Sequence, residues 1–321
     1  MELGGWFGVA RQSARFIVLI LLLNSAYLFA TDLSVTLILP IHHQALEEIA
    51  RGFTETATQG RLRVKVVNAQ GDEAAMRAIL LQNTLAGTDI LAPIGTTASR
   101  LAAKILKDKG SIKQKLLSLA VDQNLSLALK EGTYQVLDGI PITKHAEMIK
   151  KALGKPKKIA VIYSPDERIV ADIKELEKAA AVHGFIVQKI LVHTQQEIYT
   201  SGKAIHSDAQ ALFVLKDHMV VAGIRSLRKI ADQRKMLLIA SDEGSVIDGA
   251  DFALGVSESQ IGIAGAKVAL QLSRGEKPTP LVSLAEDAQV MARPDFEQQH
   301  PSVVKALSKA GFGIRKIGGK K

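Results

Sequence analysis

Short apolar runs alternate with longer amphipathic segments from residue 32 to the end of the chain. Runs of four to eight apolar residues are typical of strands that are buried on both faces of a sheet. The segment Leu62–Val67 alternates Arg63 and Lys65 with apolar residues, and we therefore expect it at a sheet edge. The fully buried strands that this pattern predicts are Leu33–Leu39, Ile90–Ile94, Leu116–Val121, Ile159–Tyr163, Phe185–Leu191, Ala211–Leu215, Met236–Ala240 and Phe252–Val256.

The segments between these strands carry apolar residues at helical spacing. Asp72 suits the N-cap of one such helix, and Gly184 suits the C-cap of another. Alternating strands and helices predict an α/β fold of parallel sheets with helices on both faces. The clearest helical stripes are Leu46, Ile49, Ala50, Phe53 and Ala57; Val170, Ile173, Leu176 and Ala180; and Ile261, Ala264, Val268 and Leu272.

Two interruptions divide this regular alternation. The first lies at residues 132–142, where a Gly-Thr-Tyr-Gln stretch and Pro141 break the pattern, and the second is the sequence Gly-Glu-Lys-Pro-Thr-Pro at 275–280. Two interruptions predict two α/β lobes, with a chain that crosses between them more than once. We expect residues 31–122 and 257–283 to form lobe 1, and residues 123–256 and 284–321 to form lobe 2.

Residues 1–30 have the pattern of an export signal. Arg11 and Arg15 precede the apolar run Phe16–Leu23, and the small residue Ala30 offers a place for cleavage. The run is shorter than the roughly 20 residues that cross a membrane. An uncleaved N-terminal anchor is the alternative. Either interpretation predicts that the rest of the chain works outside the cytoplasm, in the periplasm.

Composition narrows the possible functions. The chain has 321 residues and no Cys, which excludes disulfides, thiolate metal sites, Fe–S clusters and Cys nucleophiles. Its net charge is +9, but Lys and Arg are spread along the sequence and no nucleic-acid-binding motif accompanies them. We therefore interpret the basic balance as solvated surface charge and expect no nucleic acid partner.

Polar side chains follow most of the predicted strands. Ligands of open parallel sheets bind beyond the carboxyl ends of the strands. Because Ser, Thr, Asp and Asn also cap helices, each position suits a helix cap as well as a ligand contact. The candidate ligand-binding residues are His43, Gln70, Thr96, Thr97, Asp122, Ser164, Asp217, Ser241 and Asp242.

The segment Gly95-Thr96-Thr97-Ala98 is the most informative of these strand ends. A helix that begins there would present backbone N–H groups and a positive dipole end to a carboxylate or phosphate. Sequence motifs for a P-loop, a dinucleotide fold and an esterase elbow are all missing. His43 and Glu47 have a spacing that could hold a metal, but no second cluster supports such a site. We expect no metal, no cofactor and no catalytic residue, and binding without chemistry.

Several stretches together resemble one protein family. They are Leu37–Glu47, Arg51–Phe53, Asn68–Asp72, Gly95–Ala98, Ile159–Pro165, Ser241-Asp242, Ile261-Gly262, Gly265 and Ala269–Pro278. The similarity, which spans most of residues 33–320, is to the ABC transporter substrate-binding proteins and their tryptophan- and tyrosine-type relatives. It implies a type I periplasmic-binding-protein fold, with two Rossmann-like lobes joined by a hinge of about three crossings.

The chain also departs from that family's pattern. Gln44 replaces a Pro, Asp217-His218 stands where Asp-Asn is common, and Ser257-Glu258-Ser259 lies where relatives often carry Tyr. Some relatives bind aromatic amino acids. The last departure removes a stacking ring and argues against an aromatic ligand.

The expected function is therefore that of a monomeric extracytoplasmic solute-binding protein. It would capture a small polar ligand, such as an amino acid, between the lobes and deliver it to an ABC permease in the inner membrane. The ligand's carboxylate would lie on the N–H groups of Thr96 and Thr97, and its ammonium would face Asp242 or Asp217. A periplasmic sensor or accessory protein without transport, and an enzyme on the same scaffold, are the alternatives.

Overall fold

The computed structural model describes residues 33–110, 114–122 and 131–318. The expected export signal at 1–30 lies outside the described residues. Within the described ranges, none of the helices combines the length and the apolar character that a membrane span requires.

The described residues form thirteen strands. In chain order they are β1 (Ser34–Leu39), β2 (Arg63–Asn68), β3 (Ile90–Pro93), β4 (Lys115–Val121), β5 (Thr133–Leu137), β6 (Lys158–Tyr163), β7 (Ile186–Leu191), β8 (Ala211–Val214), β9 (Leu237–Ala240), β10 (Phe252–Gly255), β11 (Leu281–Val282), β12 (Gln289–Ala292) and β13 (Ile314–Lys316).

The helices of the same residues lie between these strands. They are α1 (Gln44–Gln59), α2 (Glu73–Leu85), α3 (Thr96–Asp108), α4 (Ile142–Leu153), α5 (Glu167–Val182), α6 (Glu197–Ser201), α7 (His218–Val221), α8 (Ile224–Arg234), α9 (Glu243–Ile247), α10 (Glu258–Ser273), α11 (Phe296–Gln299) and α12 (Pro301–Lys309). Short 3-10 turns lie at Gly202–Ala204 and Ala285–Asp287.

The strands form two separate sheets. The sheet of lobe 1 has the order β11-β5-β4-β3-β1-β2, and that of lobe 2 has the order β13-β12-β10-β9-β8-β6-β7. All paired strands run parallel, except that β10 and β12 are antiparallel. Strand β2 lies at a sheet edge, as its alternating charges predicted. The type I periplasmic-binding-protein fold of two α/β lobes is thus confirmed.

The chain crosses between the sheets three times. The crossings are residues 138–141 after β5, residues 256–257 between β10 and α10, and residues 283–288 between β11 and β12. The expected end of the first lobe-1 segment at residue 122 is wrong, because β5 follows it and pairs with β4 in the same sheet. The stretch Gly132–Gln135, expected to interrupt the alternation, instead contains the first three residues of that strand.

Helices α1 and α10 pack together on one face of the lobe 1 sheet, and glycines allow their close approach. A Cβ at Gly262 would overlap the carbonyl oxygen of Ile49, and a Cβ at Gly52 would overlap that of Ser259. The backbones of the two helices therefore touch where any larger residue would force them apart. This contact fixes the start of α10, which leads directly out of a crossing, against α1.

Candidate functional site

A cavity of about 460 Å³ lies between the lobes, at the carboxyl ends of strands from both sheets. A second cavity of about 510 Å³ adjoins it, shares His43, Glu243 and Glu258 with it, and extends to Arg315. We refer to the first as the cleft cavity. Its lining is Ile41, His43, Ala45, Leu46, Ile49, Gly95 and Ala120 from lobe 1, Lys216, His218, Val221, Ser241, Asp242, Glu243 and Gly255 from lobe 2, and Asp138, Val256, Glu258 and Ile261 at the crossings and α10.

One wall of the cleft cavity is apolar. Ile41, Leu46, Ile49 and Ile261 form this wall on the lobe 1 side. Ile41 is 48% exposed, which leaves its side chain accessible to a ligand. None of the described lining residues is Phe, Tyr or Trp, so nothing in this lining offers an aromatic ring for stacking.

The N-terminus of α3 faces the same cavity through Gly95. This residue is the helix N-cap with φ 91° and ψ 156°, a conformation that favours glycine, and no side-chain hydrogen bond caps the helix. The first backbone N–H groups of a helix lack intrahelical partners. In this helix they accompany a positive dipole end at the edge of the cavity, which suits an anionic ligand group.

Lys216 lies two residues after the end of β8 and forms an ion pair with a residue of the first crossing. Its Nζ donates to a carboxylate oxygen of Asp138 at 3.0 Å and to the carbonyl oxygen of Asp138 at 3.1 Å. Desolvation lowers the pKa of Lys216, but the attraction of Asp138, assisted by Asp242 and Glu258, outweighs it and raises the pKa above its ordinary value. Lys216 therefore keeps its positive charge in the cleft.

His145 of α4 is buried close to this charged pair. Its ring is 3% exposed and packs on Phe213 at a centroid distance of 5.6 Å. Desolvation, with a smaller effect of the Lys216 charge, lowers the pKa of His145 to about 3. The imidazole is therefore neutral near neutral pH and serves as a packing group beside the site.

Two glutamates from different parts of the fold meet in the cleft cavity. Glu243 is the first residue of α9 in lobe 2, and Glu258 is the first residue of α10. Burial, and next the hydrogen bond and negative charge of Glu243, raise the pKa of Glu258 to about 9. Arg315 Nη2 donates to Glu243 Oε1 at 2.6 Å and compensates the charge of that carboxylate.

Three of the expected site residues line the cleft cavity. His43 caps α1 by accepting a hydrogen bond from the Ala45 N–H at 3.3 Å. Asp242 caps α9, because its carboxylate accepts from the N–H and the hydroxyl of Ser245 at 2.8 and 2.7 Å. Ser241 is buried, and its Oγ has no hydrogen-bond partner among the described residues.

Asp217 and Ser164 form hydrogen bonds within lobe 2 and do not take part in the cleft cavity. Asp217 is 2% exposed and accepts hydrogen bonds from the backbone N–H groups of Ser164, Met219 and Val220. Neither Asp217 nor Ser164 lines the cleft cavity. The structure thus uses Asp217 as the cap of α7 and places the neighbouring Lys216 in the cleft.

The other four candidates lie outside the lining. Gln70 is exposed and contacts His42 at 3.1 Å, and Thr97 is exposed on the first turn of α3. The hydroxyl of Thr96 accepts from the Asp122 N–H at 3.2 Å, and Asp122 pairs with an arginine of lobe 2. His43 and Glu47, whose spacing was considered for a metal and not chosen, are not paired in the structure, where Glu47 contacts His42 at 2.9 Å. In the described ranges, no group of three or more His, Asp or Glu could hold a metal ion.

Sequence reasoning missed the charged groups that dominate the cleft. Lys216 and Glu243 each stand directly beside a residue that was chosen, and Glu258 lies within the noted stretch Ser257–Ser259, so the signal was present but these three residues were not selected. Asp138 follows β5, a strand that the apolar pattern did not predict. Nothing in the sequence alone pointed to its ion pair with Lys216.

Known proteins are similar to this chain in sequence and in fold. A Rickettsia prowazekii (strain Madrid E) protein described as uncharacterized is 30% identical over 263 residues, which are 82% of this chain and 83% of that protein. The tyrosine-binding protein of Clostridioides difficile (strain R20291) is 24% identical over 258 residues, or 77% of this chain and 74% of that one.

Two solved structures show the shared fold. The ligand-free, open form of a Clostridium difficile substrate-binding protein with adhesive properties has a TM-score of 0.73 and 20% identity, with 88% of this chain and 99% of that chain covered. A Streptococcus pneumoniae domain in complex with L-Trp has a TM-score of 0.66 and 20% identity, with 86% and 98% covered.

The family assignment rests on the sequence itself. The profile of the ABC transporter substrate binding protein family matches residues 34–306, which include both lobes and all three crossings. The chain therefore belongs to the ABC transporter substrate-binding proteins.

Proposed function

We propose that this protein is exported, captures a small amino acid in the cleft cavity and delivers it to an ABC permease in the inner membrane. The observation that carries this proposal is the lining of the cavity, which combines side chains of both lobes with the hinge residues. A ligand that touches both lobes binds the closed form better than the open form and so drives closure. The volume of about 460 Å³ suits a small molecule.

The chemistry of the walls supports an amino acid. Its carboxylate would lie at the uncapped N-terminus of α3, an interaction that contributes about 0.3–1 kcal/mol when exposed and up to about 2 kcal/mol when partly buried. Its ammonium would face the carboxylates across the cavity. Its side chain would pack on Ile41, Leu46 and Ile49. Because the described lining has no aromatic ring, we propose an aliphatic rather than an aromatic side chain.

The relatives agree with the ligand class. One is named as a tyrosine-binding protein, and one solved domain was crystallised with L-Trp. The departure from the family pattern noted at Ser257–Ser259 includes Glu258, whose side chain lines the cavity.

Calorimetry with a matched set of compounds tests the proposal. L-leucine, L-tryptophan, leucinamide, isoamylamine and ribose would be titrated into the purified protein. We expect L-leucine to bind most tightly, and compounds that lack its carboxylate to bind at least tenfold more weakly. Tight binding of ribose would contradict the proposal, and so would a failure of both amino acids to bind tightly.

Delivery to a permease needs a separate test. Uptake of radiolabelled L-leucine would be compared in cells with and without the gene, and in cells that carry the Lys216→Met variant. We expect uptake at submicromolar concentration to fall when the gene is lost and to return only with the wild-type protein. Unchanged uptake together with tight binding would favour the sensor function.

A further inference from the structure

One end of lobe 2 carries a group of lysines with no acidic residue among them in the sequence. Residues 148–165 contain no Asp or Glu, and their lysines are Lys150, Lys151, Lys155, Lys157 and Lys158. The first two lie in the last turn of α4, where a positive charge interacts favourably with the helix dipole. The other three follow the helix, so the dipole does not account for them. Positive charge is therefore concentrated where β6 begins.

Most of this charge has no partner among the described residues. Lys158 pairs with Asp208 at 3.0 Å, and its Nζ lies 2.9 Å from Nδ1 of His206. The side chains of Lys151, Lys155 and Lys157 are exposed and form no ion pair with a described residue. Clustered charges of one sign create a local potential that attracts a surface of the opposite sign.

Two strongly exposed aliphatic side chains lie at the same end of lobe 2. Val182 is the last residue of α5 and is 85% exposed, the highest value among the large apolar side chains of the described residues. Ile186 begins β7 and is 63% exposed. Phe185 is buried and anchors the turn between them. Single exposed aliphatic residues are ordinary, but two of them beside a group of lysines are typical of a surface that binds at a membrane interface.

Strand pairing brings the aliphatic side chains and the lysines together. Strands β6 and β7 are parallel, and Lys158 pairs with Ile186 in the register. The N–H of Ile186 donates to the carbonyl oxygen of Lys157 at 3.0 Å. Helices α4 and α5 pack against each other, and each ends shortly before one of these strands begins. We call this end the basal surface, which comprises Lys150, Lys151, Lys155, Lys157, Lys158, Val182 and Ile186.

The basal surface and the cleft cavity lie at opposite ends of the lobe 2 sheet. The basal surface is formed where β6 and β7 begin, whereas the cavity lies where the parallel strands β8 and β9 end. A strand of six residues, such as β6, is about 20 Å long. A partner bound to the basal surface therefore leaves the cleft cavity free.

The composition of the basal surface favours a lipid bilayer over other polyanions. Lysine is a point charge on a flexible stem and lacks the planar fork with which arginine selects an individual phosphate. Its long stem lies along apolar surface while its ammonium group remains among polar headgroups. Aliphatic side chains beside it can enter the boundary between headgroups and acyl chains. A soluble phosphate compound would make no use of Val182 and Ile186.

We propose that the basal surface of lobe 2 binds the surface of a phospholipid bilayer that contains anionic headgroups. The lysines contact the headgroup phosphates, and Val182 and Ile186 enter the boundary with the acyl chains. This inference goes beyond the proposed function, because it concerns a surface remote from the cleft and requires no ligand there. Docking at this end would hold the protein at the membrane that contains the proposed permease.

Vesicle flotation tests the contribution of the lysines. The full chain would be mixed with vesicles of phosphatidylcholine alone and with vesicles that also contain phosphatidylglycerol. Each lysine near an anionic surface contributes about fivefold in affinity. The combined variant Lys151→Gln, Lys155→Gln and Lys157→Gln should therefore bind the phosphatidylglycerol vesicles at least tenfold more weakly than wild type. Added salt should weaken the binding of the wild-type protein.

A second triple variant is the matched control. Lys104→Gln, Lys107→Gln and Lys109→Gln remove the same charge from exposed positions at the end of α3 in lobe 1. This variant should bind like wild type, and residues 1–30 are the same in every protein compared. Thermal unfolding verifies that each variant is folded. Equal binding of the two triple variants would overturn the inference.

A fluorescent label tests the contact of the aliphatic side chains. The chain has no Cys, so Val182→Cys provides a single attachment site for a dye whose emission shifts to the blue in apolar surroundings. We expect a blue shift with phosphatidylglycerol vesicles. Leu85→Cys, at the end of α2 in lobe 1 and 70% exposed, is the control and should show none. An absent shift at residue 182, or an equal shift at residue 85, would overturn the inference.

Two soluble probes separate the bilayer from other anionic partners. Glycerol 1-phosphate has the headgroup phosphate without acyl chains, and poly-L-glutamate represents an acidic polypeptide. Neither should displace the protein from vesicles or shift the emission of the dye at residue 182. Displacement by glycerol 1-phosphate would assign the lysines to a soluble phosphate ligand. Displacement by poly-L-glutamate would assign them to an acidic protein, and either result would overturn the bilayer as the partner.

Discussion

The guanidinium of Arg168 lies 3.3 Å from the carboxylate of Asp122, and the two residues belong to different lobes. Arg168 also donates to the carbonyl oxygen of Lys216 at 2.6 Å. The Lys216 side chain in turn pairs with Asp138 in the first crossing. A connected series of polar contacts thus links the end of β4, helix α5, the end of β8 and the hinge.

We predict that Arg168→Met opens the ligand-free protein. Because both side chains are partly exposed, the ion pair contributes only about 0.2–1 kcal/mol, which shifts the closed fraction up to about fivefold. Small-angle scattering should show a larger radius of gyration for this variant. Arg225→Met, which changes an exposed arginine of α8, is the control. Identical scattering of all three proteins would contradict the prediction.

Gly95→Ala should damage ligand binding more than stability. Its φ of 91° is costly for a residue with a Cβ, so the first turn of α3 must shift away from the cavity. We expect the affinity for L-leucine to fall at least tenfold in calorimetry. Gly275→Ala is the matched control, since that glycine has a φ of 72° and open space beyond α10. Equal affinity in both variants would remove α3 from the binding site.

His145 should make the protein sensitive to mild acid. Its pKa is about 3 in the folded protein and about 6.5 in an unfolded chain, so the unfolded state binds an extra proton as the pH falls below 6.5. The free energy of unfolding therefore decreases by up to about 1.4 kcal/mol per pH unit until about pH 3.

Denaturation of His145→Leu measures this effect. The difference in unfolding free energy between wild type and variant should change by about 2 kcal/mol between pH 6.5 and 5. His193→Gln should not reproduce the change, because that side chain is already in contact with water in the folded protein. A difference that stays constant with pH would show that the folded protein also protonates His145.

Gly262→Ala should destabilise lobe 1 despite the better helix propensity of alanine. The added methyl group would overlap the carbonyl oxygen of Ile49, so the backbones of α1 and α10 must separate. We expect a loss of about 1–3 kcal/mol in the free energy of unfolding by urea. Gly139→Ala, which adds the same methyl group in open space, should be nearly neutral. A stabilised Gly262→Ala variant would contradict this account of the packing.

The apolar runs predicted the central strands well because burial on both faces leaves no polar position. The nine predicted strands end within one residue of those in the structure. Strand β5 was not predicted because Thr133 and Gln135 interrupt its apolar run, although Gln135 is buried in the structure. Strand β13 carries Arg315 and Lys316 at a sheet edge, where apolar residues are not required.

The site was predicted at the correct strand ends but often not at the correct residue. The polar residues that follow a strand point in different directions, and the direction depends on the turn rather than on residue type. Asp217 turns inward to cap α7, while its neighbour Lys216 reaches the cleft. Glu243 and Glu258 are distant in the sequence, and only the assembly of both lobes reveals that they meet.

The glycine contact between α1 and α10 has a consequence for the motion of the lobes. With the backbones of these two helices interlocked, Glu258 travels with lobe 1, while Glu243 travels with lobe 2. Parting the lobes therefore separates these two side chains of the cavity lining, and a ligand that contacts both favours the closed form.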